Sequence, residues 1–252
     1  MEKESPEKEN VQLQELDQAG QPSLNVWQRL AGVLTNPRQT FADITAHPRF
    51  AAGLVILCAV NLLIGLSILQ KVRAFTIWTM EQQAGQMPPG AAMVKEMAAT
   101  GAAFGVVIAS VAGPLFFALL MAVLLFFFGY LVRSRAPFRT LFAVSVFAYV
   151  PATIASVIAG ALIASRPAEH MEGVTTSLAM FLPGDSAGLL HRILSLVDPL
   201  GLWSLALVAL GGAVAYKTGF SKTAAYIFIL WAIYVAAAAA IPSLFPKAAG
   251  GF

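Results

Sequence analysis

The sequence predicts an all-α integral membrane protein: a bundle of five transmembrane helices, with interfacial amphipathic helices before span one and in the outer loop between spans three and four. Three observations predict it. Apolar residues make up 58% of the 252-residue chain and charged residues only 12%. Mean hydropathy is +0.74, well outside the balance of soluble domains. The apolar residues are also gathered into runs near the ~20-residue length that crosses a hydrocarbon core. These runs lie at about 50–70, 104–131, 141–164, 199–216 and 222–243.

Taken in order, residues 1–22, "MEKESPEKENVQLQELDQAGQP", are acidic and polar and lack an apolar core. They predict a disordered tail rather than a cleavable leader. Residues 23–49 form the second unit. In "LNVWQRLAGVL", Leu24, Trp27, Leu30 and Leu34 recur at helical spacing, and Asn36–Pro37 is a helix-start pair, with Pro48 marking a further start. Lipid tolerates no unsatisfied backbone, so these breaks must lie at the interface. The expectation is one or two amphipathic helices on the cytoplasmic leaflet, with Trp27, Phe41 and Phe50 dipping in and Arg29, Arg38 and Arg49 near the headgroups. The third unit, residues 50–246, is the five-span domain.

The basic residues orient it. Lys3, Lys8, Arg29, Arg38 and Arg49 precede span one, Arg133, Arg135 and Arg139 fill the loop "RSRAPFR", and Lys217 and Lys222 bound the turn "KTGFSK". The opposite side holds Lys71, Arg73, Lys95, Arg166, Arg192 and Lys247, spread over long loops and a tail. The positive-inside rule then places the N-terminus in the cytoplasm and, after five crossings, the C-terminus outside. The formal net charge of +3 therefore reports topology, and no nucleic acid is expected as a partner.

Between spans, small residues permit close approach. Gly101, Gly105, Ala109 and Gly113 recur every four residues on span two, and similar stripes run along span three (Ala152, Ser156, Gly160, Ala164) and span five (Ala232, Ala236, Ala240). They are read as interior packing faces. Pro114, following Gly113, is expected to kink the apolar run 101–132, which exceeds one straight crossing.

Three stretches carry a family resemblance: "VLTNPRQTFADITAHPRF" at the entry, "FAVSVFAYVPATIASVI" in span three with Tyr149 and Pro151, and "DPLGLWSLALVALGGAVAYKTGFSKTAA" with Trp203, Gly211, Gly212 and Gly219. Together they resemble bacterial members of the Yip family, multi-pass membrane proteins named for interaction with Ypt/Rab GTPases. The resemblance covers roughly residues 26–245 and implies five spans with a cytoplasmic N-terminus. No "DLYGP"-type segment precedes span one, so a GTPase-binding role is not implied.

Chemistry is sparse. Apart from Lys222 at the very start of span five, the spans as drawn contain no Asp, Glu, Lys or His, whereas pumps and intramembrane proteases place ionisable groups inside. Asp198, ahead of Pro199, reads as an N-cap first and as an interfacial cation or lipid-amine ligand second. The neutral polar residues Asn61, Ser110, Tyr149, Thr153, Ser156 and Ser204 either bond between helices or line a path. Glu169, His170 and Glu172 in "RPAEHMEG" make a poor metal signature. Cys58 is alone, which excludes a disulfide within the chain. No catalytic residue, cofactor or metal is expected.

In the outer loop 165–198, Ser186 is expected to cap "AGLLHRILSLV", whose Leu189, Leu190, Ile193, Leu194 and Val197 share a helix face. The helix lies on the outer leaflet or forms a lid over a cavity. The positions singled out as functional or structural are Tyr149, Pro151, Asp198, Trp203, Gly105, Gly113 and Pro114. Two functions stand at this point: a non-enzymatic organiser or adaptor in membrane, lipid or trafficking-type processes, and a passive transporter or lipid scramblase with a groove between spans two to four. The expected partners are the lipid bilayer, proteins at the cytoplasmic face and a second copy of the chain. The expected location is a bacterial inner membrane.

Overall fold

The computed structural model of the chain describes residues 23–82, 92–171, 174–182 and 188–244. Among these the ordered elements are helices, with no strand. In chain order they are α1 (Val26–Thr35), α2 (Pro37–Ala46), α3 (Ala51–Gln82), α4 (Ala92–Leu131), α5 (Phe138–Ala148), α6 (Val150–Ser165), α7 (Leu189–Ser195), α8 (Pro199–Ala215) and α9 (Phe220–Leu244). Short 3-10 turns at Ala168–His170 and Leu178–Phe181 lie between α6 and α7.

Four helical segments are long and apolar enough to cross a membrane: Ala51–Gln82, Ala92–Leu131, Phe138–Ser165 and Phe220–Ala240. The fifth candidate is α7 followed by α8, bent by 56° at the break. With 17 residues and ~1.5 Å of rise per residue, α8 alone spans a little less than a ~30 Å core. The bundle of four to five spanning helices agrees with the sequence. Helices α3 and α4, with 32 and 40 residues, extend beyond the runs at 50–70 and 104–131, so they carry Lys71, Arg73, Lys95 and Glu96 out past the hydrocarbon. There Arg73 pairs with Glu96 at 3.1 Å and Lys95 with Glu81 at 3.6 Å.

The core is built around α5 and α8, with eight of 11 and eight of 17 residues buried, against four of 16 in α6. The apolar window of Phe138–Ser165 is 56% buried, against 22% for Ala51–Gln82, so span three is the central strut. The break at Tyr149 lets α5 turn into α6, with Pro151 in the first turn of α6 where it costs no hydrogen bond. Close approach is set by Gly160 of the span-three stripe, against Ile64, and by glycines outside the span-two stripe. A Cβ on Gly211 would meet Val144 and the Phe41 ring, one on Gly212 would meet Leu125, and one on Gly65 would meet Ser110. Around Gly101 and Gly105 there is nothing within 4 Å, and both are exposed. The stripe reading is corrected: on α4 it is Ala99, Ala103, Pro114, Ala118 and Ala122 that turn inward. Gly101 and Gly105 face the lipid side, because the packing face of this helix is made by alanines and a proline.

Three of the neutral polar residues, Asn61, Thr153 and Ser204, join helices, whereas Ser110 and Ser156 donate to carbonyls of their own helices. Asn61 donates to the Thr153 hydroxyl at 3.2 Å and to the Leu57 carbonyl at 2.8 Å, and the Ser204 hydroxyl accepts from Ala152 N–H at 3.1 Å. Tyr216 and Tyr226 donate to the Leu125 and Leu124 carbonyls at 2.8 and 3.0 Å, tying α8 and α9 to α4. Pro114 has no N–H to offer the preceding turn; beside it, the Cys58 thiol donates to the Val111 carbonyl at 3.6 Å. The helix continues through the proline to Leu131.

Candidate functional site

The site with the most built structure is at the end of the bundle that carries the basic loops. Helix α1 starts from a full capping box: Asn25 accepts from Gln28 N–H, and the Gln28 side chain accepts from Asn25 N–H, both at 2.9 Å. Helix α2 begins at Pro37 after Asn36, as expected, but the Asn36 side chain makes no cap bond and donates to Gln39 at 2.6 Å. The two helices fold back on each other at a close contact between Gly32 and Thr40.

Here the sequence reading needs its largest correction. Val33, Phe41 and Ile44 do not enter a leaflet; all three are fully buried in the protein core. Phe41 packs on α8 at Gly211, whose missing side chain leaves room for the ring. Arg29 does not reach for headgroups either. It is 2% exposed and lies against Asp43, with Nε and Nη2 each 2.8 Å from Oδ2. Its Nη1 donates to the Arg49 carbonyl at 3.1 Å, and its guanidinium lies 5.9 Å from the Phe147 ring centre. Asp43 also accepts from Leu24 N–H at 3.2 Å and faces His47 Nδ1 at 3.6 Å. One buried ion pair thus fastens α1, α2 and the start of α3 over α5. Trp27 remains outward, 66% exposed.

This arrangement had a legible signal. Asp43 is the only acidic residue between Ser23 and Met80, and a lone acid among buried apolar neighbours needs a cation. The fourteen-residue separation of the partners, set by the α1–α2 turn, hid the pair.

Beside the pair lies a furrow of about 730 Å³, within the ~300–1,000 Å³ of ordinary ligand sites. It runs between the start of α1 and the starts of α3 and α5, with Val26, Phe50, Phe138 and Phe142 among its walls and Arg49 and Arg139 beside them. The rings brace one another: Phe50 meets Phe142 edge-on at 4.9 Å, and Phe138 stacks with Phe142 at 6.4 Å. A second cavity of about 630 Å³ lies at the same end, lined by Phe126, Tyr130, Arg133, Ser134, Arg135 and Tyr216.

The other positions singled out from sequence do not converge on one site. Tyr149 and Gly113 meet mid-bundle, with a Cβ on Gly113 lying 3.7 Å from the Tyr149 hydroxyl and the Phe117 ring 4.9 Å from that of Tyr149. Pro151 and Pro114 are buried in their helices. Trp203 is 41% exposed on α8. Asp198 is at the opposite end, accepting from Gly201 N–H at 2.8 Å as the cap of α8 and from the Thr176 hydroxyl. Its two oxygens are thereby occupied by the fold. The outer-loop helix is shorter than expected and capped at Gly188; Ser186 and Glu172 lie outside the described residues. Leu189 and Leu190 are exposed on it. Among the described residues no cluster of His, Cys, Asp or Glu could hold a metal.

A helical bundle with spanning segments, a mid-membrane core joined by neutral hydrogen bonds and a helical cap over its basic end defines a polytopic membrane protein. The family model of the Yip1 domain matches residues 31–241. The chain therefore belongs to the Yip1 domain family. No curated protein and no solved structure matches it.

Proposed function

We propose that the protein is a non-enzymatic membrane organiser or adaptor that presents the α1–α2 cap to partners in the cytoplasm. The observation that carries this reading is the cap itself. Two helices are locked onto the bundle by the Arg29–Asp43 pair and by Phe41 in the Gly211 notch, while Trp27 stays exposed. Rigid helices with an outward aromatic suit recognition better than a loose linker does. The interior supports the same reading. Asn61, Thr153 and Ser204 are spent on helix–helix hydrogen bonds, and the two cavities lie at the basic end without crossing the bundle.

The basic loops support an orientation with the cap and the N-terminus in the cytoplasm and the C-terminus outside, in an inner membrane of bacterial type. Purified protein in liposomes tests the function. With fluorescent phospholipid in the inner leaflet, the expected rate of exposure to an outside quencher equals that of protein-free liposomes. Accelerated exposure would replace the organiser reading with that of a scramblase.

A further inference from the structure

We propose that the furrow between α1 and the starts of α3 and α5 is a binding site for one anionic phospholipid. Its phosphate would lie between Arg49 and Arg139, and an acyl chain would lie along Phe50, Phe138 and Phe142. The inference goes beyond the organiser reading, which names no ligand, and binding is measured separately from lipid movement.

The furrow has two chemically distinct parts. Its walls are apolar and aromatic, and the rings are fixed against one another. Its charged members are three arginines and no acid. Arg29 is neutralised by Asp43 and shut away from solvent. Arg49 and Arg139 are different: both are exposed, and neither guanidinium has an ion-pair or hydrogen-bond partner among the described residues. Two unneutralised cations beside a preformed greasy slot call for an amphiphile that is anionic at one end.

Position selects a lipid among such amphiphiles. Ala51 and Phe138 open the helices of spans one and three, so the furrow sits where both helices enter the hydrocarbon. Phosphates of the bilayer occupy that level, with acyl chains directly beneath. Aromatic rings at a span entrance are common at this boundary, but here they form the wall of a slot instead of a scattered belt. The slot admits part of one lipid by volume. Arg133 and Arg135, in the neighbouring loop, line the separate second cavity and not this one.

The test uses the full chain in neutral detergent, titrated with palmitoyl-oleoyl phosphatidylglycerol and read by native mass spectrometry and by thermal melting. The expected result is a one-lipid adduct and a raised Tm, with phosphatidylcholine giving neither at equal concentration. Arg49→Gln with Arg139→Gln should keep the lipid-free Tm and weaken the adduct roughly 25-fold, about fivefold for each cation lost near an anionic group. Ala52→Trp, which fills the furrow while keeping both arginines, should abolish the adduct. Arg133→Gln with Arg135→Gln should leave it intact. Equal binding of phosphatidylcholine, an undiminished adduct in the Arg49/Arg139 variant or in Ala52→Trp, or equal loss in the Arg133/Arg135 variant would overturn the site. A Tm rise reproduced by inorganic phosphate alone would reassign it to a free anion.

Discussion

Arg29 and Asp43 join the two helices of the cap through opposite charges. Their charges are removed from water, so each is tolerable only because the other is present. Changing Asp43 to Ala leaves a guanidinium buried without its counter-charge, and the expected cost is ~3–5 kcal/mol. Differential scanning fluorimetry in detergent should show this as a lowered Tm, together with faster proteolysis within α1 and α2. Two glycines supply a matched comparison. Gly211→Ala places a methyl group against Val144 and the Phe41 ring and should destabilise by ~1–3 kcal/mol. Gly105→Leu projects into open space and should leave the melting temperature unchanged, although its place in a four-residue repeat suggested a contact.

Among elements, the joint before α8 shows how a short helix is fixed at a membrane boundary. Asp198 satisfies Gly201 N–H with one oxygen and holds Thr176, in the loop between α6 and α7, with the other. Asp198→Ala should cost ~0.5–2 kcal/mol as a lost cap. It should also free residues 174–182, seen as a new site of limited proteolysis, whereas loss of a cation-binding residue would leave the loop closed. At the opposite end the turns after α4 and α8 place Arg133 and Lys217 in the left-handed region, with φ of 52° and 51°. Glycine would adopt that conformation at lower cost. The cation at each helix C-terminus offsets part of it through the helix dipole.

At the scale of the whole molecule, charge and packing are separated. One end gathers Arg38, Arg49, Arg133, Arg135, Arg139, Lys217 and Lys222 around the cap, and the other ties Lys71 to the Arg166 carbonyl at 2.6 Å. The orientation this implies can be measured in a Cys58→Ala background. A membrane-impermeant maleimide added outside should label a cysteine at Glu169 and spare one at Arg135; the reverse pattern would invert the protein. Both positions are exposed, so failure to label reports the membrane and not burial.

The sequence by itself determined the class, a bundle of four to five spanning helices, the helix starts at Pro37 and Pro199 and the family. All of these follow from local composition, from periodicity or from motifs written in consecutive residues. The tertiary structure alone decided which face of each helix is inside. In lipid the outer surface is as apolar as the core, so hydropathy cannot tell Gly105, which faces out, from Gly211, which receives Phe41. The same blindness made the apolar face of α1 and α2 read as a membrane anchor, when Val33, Phe41 and Ile44 find the bundle instead. The furrow at Arg49 and Arg139 joins segments about ninety residues apart. It exists only once spans one and three stand side by side, and no local pattern records that contact.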